Sequence, residues 1–435
     1  MSFGLSRCSG GHGPFRGLDA PRARDYYKRP PRPRRVAFCW RFPISTDVEH
    51  FDVIDVIIIG AGPGGSNAAT VALRGGLSVL QIDAATFPRV KPCAGGVTAK
   101  AAAALQLGFG PLSSRPFTAI EFNVWRSRTN RFGHREPVLH TVCRPDFDND
   151  LVHRNLANPG FTFVDGCRAL RVDYDGRFTV ATTKGTLTGR QLIGADGAYS
   201  VVNRTFRVST PRALATAVEI NIAPGVGSPA VPCFDYGAID RGYGWVFPKG
   251  DHLSVGLYTL SPRTRQIRAQ FLAYLRSKRV PVQDESLPDL ESFRVPIGGF
   301  RLRVPECPVY IVGDAGGFAD ALTGEGIYSA LESGRLAGEA AVAVARGRDT
   351  HRTYYRRLWQ SVLCDTALTF FAARHFYKDV DRGVRVLERP LVWRTLIEGA
   401  ARGATLSESA LKSGSLLLRS MSSGAAASQS FCMNG

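Results

Sequence analysis

The feature that most constrains this chain is a turn. Residues 53–59 form an apolar, β-branched run broken only by Asp55, and the run ends in Gly60-Ala-Gly62-Pro-Gly64-Gly65. Residues 66–74 then read as a helix and 77–82 as the next strand, which completes a strand–turn–helix–strand unit of about 30 residues. A strand this apolar is expected inside a parallel sheet, buried on both faces. Gly60 permits the tight turn, Gly62 lets the backbone approach a pyrophosphate, and Gly65 lets helix and strand pack closely. The start of the helix offers unpaired N–H groups and the positive end of the peptide dipole to phosphate. Asp83 lies 18 residues beyond Gly65 and closes the second strand, where a carboxylate can hold ribose hydroxyls. The unit predicts a dinucleotide site in an α/β fold and leaves the nicotinamide and flavin dinucleotides both open.

The 435 residues are 44% hydrophobic, which suits about two or three structural units with a sizeable core. A charged fraction of 21% argues against a disordered, collagenous or coiled-coil chain. No stretch reaches ~18 apolar residues without a charge, so no membrane-spanning helix is expected. Residues 363–376 come nearest, and they carry Asp365, Arg374 and His375. The formal charge is +18, and the basic residues are nearly all arginine. Ten of them, against only Asp19 and Asp25, fall in residues 1–45, and the rest are spread along the chain. With no basic stripe interleaved with stacking aromatics, no nucleic-acid partner is expected. The nine cysteines form no Cys-x-x-Cys pair and the eight histidines have no ligand spacing. Neither a disulfide framework nor a metal site is expected, and a reducing, cytoplasmic setting fits.

Residues 1–50, rich in Arg, Pro and Gly, read as a disordered basic extension; a cleavable targeting peptide and a start codon placed too far upstream both account for it. Further strands are expected at 191–194, 213–222, 252–257 and 309–312, a long helix at 326–346, and more helix within 352–376. Beyond residue 402 the pattern fades into a flexible tail. Two of these strands end in aspartate beside glycine, at Gly194-Ala-Asp196-Gly197 and at Val312-Gly313-Asp314, the latter followed by Gly324-Glu-Gly326-Ile327. With Asp83, three carboxylates stand at the carboxyl edge of the predicted sheet, where ligands of open α/β sheets bind.

These three edges together resemble the FAD-dependent oxidoreductases of the para-hydroxybenzoate hydroxylase fold. The resemblance implies a Rossmann-like FAD-binding domain with an inserted antiparallel β-rich substrate domain and a C-terminal helical region. On that pattern 51–115, 144–210 and 300–346 form the discontinuous FAD domain, 116–143 and 211–299 the substrate domain, 347–402 the C-terminal helices, and 403–435 the tail. Carried over by motif, Gly60, Gly62, Gly64 and Gly65 would line the pyrophosphate, Asp83 would hold the adenosine ribose, Asp314 would bind the flavin's ribityl and phosphate region, and Asp196 would also be at the cofactor. Gly326 and Ile327 would face the isoalloxazine, whose reduced form carries negative charge that the helix start can stabilise. Arg144, in Arg144-Pro-Asp-Phe147-Asp148-Asn-Asp-Leu151, matches the fold's Arg-x-x-Phe-Asp-x-x-Leu helix start and is expected near the cofactor.

Two further segments resemble the geranylgeranyl reductase family: Pro88-Arg-Val-Lys91-Pro-Cys93-Ala94-Gly95-Gly96 and Tyr243-Gly-Trp245-Val-Phe247-Pro248-Lys-Gly-Asp251-His252. Ala94, Ser254 and Gly316 depart from the family pattern, replacing Gly, Asn and Ala. That family uses FAD, and usually NADPH or NADH, to saturate carbon–carbon double bonds of geranylgeranyl-type isoprenoid chains. The reaction needs a hydride from reduced flavin N5, a proton on the neighbouring carbon, and exclusion of water. Cys93, Ala94 and Gly96 are then expected beside the flavin, with Cys93 a candidate to steer substrate or relay a proton. Tyr243 and Trp245 alternate along a strand and share a face, so they are candidates for an aromatic wall holding the prenyl chain. The implied partners are an isoprenoid lipid or prenyl diphosphate and, peripherally, a membrane surface near residues 368–376. An aromatic-hydroxylating FAD monooxygenase shares the three cofactor edges and stands as the alternative. No residue in the sequence identifies itself as the general acid.

Overall fold

The computed structural model describes residues 53–109, 115–225, 228–278, 287, 290–405, 408 and 409. The basic segment 1–50 and nearly all of the tail expected from residue 403 lie outside them.

Strand Ile54–Ile59 is the centre of the first sheet. It pairs in parallel with Val79–Ile82 on one side and with the second half of Gly185–Gly194 on the other. Phe161–Val164 extends the sheet beyond Val79–Ile82, and Val309–Ile311 runs parallel to residues 192–194. The first half of Gly185–Gly194 turns instead into an antiparallel ribbon with Phe178–Thr182 and Ala169–Tyr174. Val56, Ile57 and Ile58 are fully buried, as expected of a strand covered on both faces. Asp55, the one polar break in the run, sits near the strand's start and accepts hydrogen bonds from the Ser78 amide and hydroxyl and from Arg190.

The first helix is Pro63–Arg74, three residues longer at its start than the sequence suggests. Proline is suited to the first helical position, because its missing N–H would be unpaired there anyway. The helix packs along the long helix Ile327–Ala345, and the two backbones approach closely: a Cβ on Gly334 would lie 2.2 Å from the Gly64 carbonyl oxygen. Arg352–Leu358, a π-helical turn Trp359–Leu363 and Cys364–Phe376 then form one continuous helical stretch. Val380–Leu387 and Pro390–Ala401 complete the helical C-terminal region.

The second sheet has seven strands among the described residues, in the order Glu291–Ile297, Ala213–Ile222, Leu253–Thr259, Gly242–Pro248, Cys233–Tyr236, Ala119–Val124, Arg128–Gly133. All its pairs are antiparallel except Cys233–Tyr236 with Ala119–Val124. One face packs on helix Ile267–Ser277 through Val218, Ile220, Phe271 and Tyr274. The other face carries an aromatic cluster built on Tyr236, Tyr243, Trp245, Phe247 and Tyr258. A small sheet of Gly96–Thr98, Leu139–Thr141 and Arg115–Phe117 accompanies the two large ones. The fold is therefore mixed α/β, with a parallel core sheet, a separate antiparallel sheet and C-terminal helices.

Candidate active site

Folding brings the three carboxylate edges to one cavity of about 860 Å³. Gly60, Gly62, Gly64, Asp83, Cys93, Arg144, Asp196, Asp314, Gly326 and Ile327, all expected at the cofactor, line it. Gly65, Ala94 and Gly96 do not. Gly65 packs under the turn, where a Cβ would lie 2.0 Å from the Gly60 carbonyl oxygen; Ala94 joins the aromatic cluster; and Gly96 lies against Phe247.

The turn is shaped to receive a ligand. Gly60 has φ +104°, which side-chain-bearing residues rarely adopt. Gly62 has ordinary extended geometry (φ −75°, ψ −178°), and its hypothetical Cβ meets nothing closer than Arg89 Nη2 at 3.5 Å and Arg144 Nη2 at 4.0 Å. Two guanidinium groups therefore flank the one glycine whose outer side is open. Arg144 makes a bidentate pair with the fully buried Asp148 at 2.8 and 2.7 Å, and Arg89 reaches the same carboxylate at 3.1 Å. Burial alone would weaken the charge on Arg144, but Asp148 and Cys93 more than offset it and hold its pKa above the ordinary value. Arg89 also stands 3.6 Å from Asp83 and stacks over the Phe87 ring. Arg89 lies in the Pro88–Gly96 segment but had no role assigned from sequence, because that pattern does not show that its side chain reaches Asp148.

Each carboxylate is held in a distinct way. Asp83 accepts the Ala61 and Ala85 amides at 2.8 and 2.9 Å, which fixes it against the glycine turn. Asp196 accepts the Val201 amide at 2.7 Å through Oδ2, while its buried Oδ1 has no hydrogen-bond partner. Asp314 sits in the short 3-10 turn Gly313–Ala315, with Oδ1 3.2 Å from where a Gly326 Cβ would be. A glycine cradle open at Gly62, two cations beside it, an orphaned acceptor on Asp196 and a helix start at Ile327 together fit a dinucleotide carrying a hydroxylated chain.

Burial raises the Asp196 pKa against hydrogen bonds from Ser200 and backbone amides that lower it. A carboxyl raised in the folded state contributes stability that is full below its unfolded value, near 3.8, and is lost as pH rises through the folded value. Asp196→Asn removes that titration. The difference in unfolding midpoint between wild type and Asp196→Asn, measured on apoprotein by calorimetry, should move in wild type's favour as pH falls from 7 towards 4. A difference moving the other way would mean that the carboxyl is stabilised in its charged form.

Tyr243 and Trp245 share a face of strand Gly242–Pro248, as expected, but neither lines the cavity; both are buried. The Tyr243 hydroxyl donates to the Thr323 carbonyl, Tyr258 donates to that of Ala321 at 3.2 Å, and Tyr377 to that of Leu322 at 2.6 Å. Three phenols thus grip the segment that leads into Gly324 and Gly326, and Tyr377 and Phe376 pack over the expected wall. This packing had no sequence signal, since it joins residues far apart in the chain. Cys93 does line the cavity, and its carbonyl accepts Lys249 Nζ at 3.0 Å.

No family model matches the chain. A menaquinone reductase of Mycobacterium tuberculosis is 34% identical over 345 residues, spanning 72% of this chain and 80% of its own. A geranylgeranyl diphosphate reductase of Rhodobacter capsulatus is 30% identical over 304 residues, spanning 66% and 75%. Among solved structures, a geranylgeranyl bacteriochlorophyll reductase-like protein of Thermoplasma acidophilum superposes with TM-score 0.69 at 18% identity, covering 83% of this chain and 96% of its own. A flavin-dependent brominase gives TM-score 0.64 at 18% identity over 81% and 94%, so the fold by itself does not choose the reaction. With relatives at this level of identity and the FAD-type cradle in place, the chain belongs to the geranylgeranyl reductase family of FAD-dependent oxidoreductases.

Proposed function

We propose that this enzyme reduces carbon–carbon double bonds of an isoprenoid chain, with a reduced nicotinamide, NADPH or NADH, as electron donor. The observation that carries the reading is the joining of an FAD-type cradle, through the Cys93 segment, to a buried aromatic sheet face. The relatives named for menaquinone and for geranylgeranyl diphosphate differ in head group and share a prenyl chain, which makes the chain the common substrate element.

The Gly60–Gly65 turn, Arg89 and Arg144 would hold the pyrophosphate, Asp83 the adenosine ribose, and Asp196 and Asp314 the ribityl side. When bound, FAD supplies two electrons and a proton to one alkene carbon. The phenols of Tyr243, Tyr258 and Tyr377 orient the segment that ends at Ile327, and the positive end of helix Ile327–Ala345 would then face the isoalloxazine, where it would stabilise negative charge. Phe234, Tyr236, Trp245 and Phe247 form a buried apolar cluster that excludes water, and a branched hydrocarbon would lie against it where it adjoins the Cys93 segment. Burial pushes the Tyr243 and Tyr258 phenols well above their ordinary range, so they stay neutral.

The test is product analysis. Purified holoenzyme is incubated anaerobically with NADPH and, separately, menaquinone or geranylgeranyl diphosphate, and the products are read by mass spectrometry. Gain of two hydrogens per reduced bond in either substrate supports the reading, and the preferred substrate identifies the head group. Conversion only in air, with an oxygen atom added, would instead establish the monooxygenase alternative.

A further inference from the structure

Strand Ala213–Ile222 turns Val218 and Ile220 towards helix Ile267–Ser277 and turns Ala215, Ala217 and Glu219 to the aromatic side. Glu219 therefore places a carboxyl beside a largely apolar, aromatic cluster, and it is 4% exposed. Its position is built rather than incidental. In the ladder Glu219 stands opposite Gly256, and Gly256 opposite Trp245. A Cβ on Gly256 would come within 2.1 Å of Trp245 Cζ2, so the missing side chain lets the indole lie across the strand towards Glu219. Trp245 Nε1 donates to Ser254 Oγ at 2.9 Å, and Ser254 Oγ donates to Glu219 Oε1 at 2.9 Å. Oε2 makes no hydrogen bond.

A buried carboxylate with one oxygen unpartnered is costly, whereas a carboxylic acid in that place keeps a proton on Oε2 that no neighbour takes up. Burial raises the pKa, opposed in turn by Lys249, the Ser254 hydroxyl, the Cys93 backbone and His252. His252 is itself paired with Asp251 at 2.7 Å, and the cross-strand neighbour Glu291 is exposed. Through the Cys93 backbone and Lys249 the carboxyl adjoins the segment that lines the cavity. Three of the phenols on this face, Tyr243, Tyr258 and Tyr377, have their protons committed to carbonyl oxygens, and the buried Asp320 carboxyl beyond them is tied to Leu322 and Thr323.

We propose that Glu219 is the proton donor of the reduction. The inference rests on the alkene-reductase reading above. Bound FAD, once reduced by the nicotinamide, would supply a proton and two electrons to one carbon of the π bond. The neighbouring carbon uses the π electrons to take the proton from Glu219 Oε2. The carboxylate left behind is held by Ser254 and by the nearby Lys249 charge, and water reprotonates it before the next turnover. The net reaction is alkene plus reduced nicotinamide plus one proton, giving the saturated bond and oxidised nicotinamide.

The test pairs Glu219→Gln, which keeps shape and removes a buried acid, with Ser254→Ala. Infrared spectroscopy of the holoenzyme at neutral pH should show a protonated-carboxyl carbonyl band that Glu219→Gln removes. Flavin content and the rate of flavin reduction by NADPH should match wild type in both variants. Reoxidation of the pre-reduced enzyme by the prenyl substrate should slow about 10²–10⁴-fold in Glu219→Gln, the range of a general acid, and less in Ser254→Ala. Reoxidation of Glu219→Gln at the wild-type rate, or a wild-type spectrum with no carboxyl band sensitive to the substitution, would overturn the assignment. If wild type itself ignores prenyl substrates, the substrate reading falls and the infrared result still decides whether Glu219 is an acid.

Discussion

Gly62→Ala should weaken FAD binding by about 10–100-fold while leaving the apoprotein as stable as wild type. Two glycines of one turn differ in what surrounds them. Gly62 has φ −75° and ψ −178°, which alanine adopts without strain, and the added methyl would meet nothing closer than 3.5 Å. Its Cβ would instead occupy the space beside Arg89 and Arg144 into which a pyrophosphate must come. Losing one charge-assisted hydrogen bond there costs about 1.5–3 kcal/mol, which gives the stated loss in affinity. Gly65→Ala should behave in the opposite way. Its methyl would lie 2.0 Å from the Gly60 carbonyl oxygen and 2.9 Å from Gln81 Nε2, the group that bonds that same oxygen, so the fold itself must move. Flavin fluorescence titration and thermal unfolding of the two apoproteins check both halves. Equal stability losses in the two variants would mean that Gly62 is a packing residue and not the open side of a phosphate site.

Lys100→Met should destabilise the protein by about 3 kcal/mol, the lower end of the range for breaking a buried pair. Lys100 Nζ bonds Glu325 Oε2 at 2.9 Å, with the two side chains only 10% and 12% exposed. Thr98 Oγ1 bonds the other oxygen at 2.5 Å, and the ammonium lies 4.5 Å over the Tyr328 ring. Removing the lysine strands a carboxylate one residue before Gly326, at the start of the helix expected to face the isoalloxazine. Most of the loss should be recovered in Lys100→Met with Glu325→Gln, since the stranded charge is then gone. Denaturant unfolding of the two single variants and the double variant gives the coupling. Strictly additive losses would show that the pair is not a unit.

The parts legible in the sequence were those whose information is local. The Gly60 turn, its flanking strands and Asp83 lie within 30 residues, and the glycine–aspartate strand ends at Asp196 and Asp314 each carry their own signature. Three such signatures suffice because a parallel sheet brings strand ends to one edge whatever lies between them. The shortfalls have a common physical origin. Strands such as Arg115–Phe117 and Gly96–Thr98 are three residues long and have too little periodicity to read. Arg89 and Glu219 acquire their meaning from Asp148, Ser254 and Cys93, partners brought together only by the tertiary fold. Tyr243 and Trp245 do share one face of a strand, as alternation implies, but no local pattern reveals that Tyr377 and the Ala321–Thr323 carbonyls cover that face. Helix Cys364–Phe376, singled out for its apolar character, divides its residues: Thr366, Thr369 and Ala373 are buried, while Leu368 and Phe371 are exposed. None of the helices of the described residues is long and apolar enough to cross a membrane.

The most direct test of the central claim is anaerobic stopped-flow absorbance of the yellow holoenzyme. The enzyme is mixed first with NADPH and then with geranylgeranyl diphosphate or menaquinone. NADPH should bleach the flavin band, and the prenyl substrate should restore it without oxygen. A flavin that stays bleached until oxygen is admitted would contradict that claim.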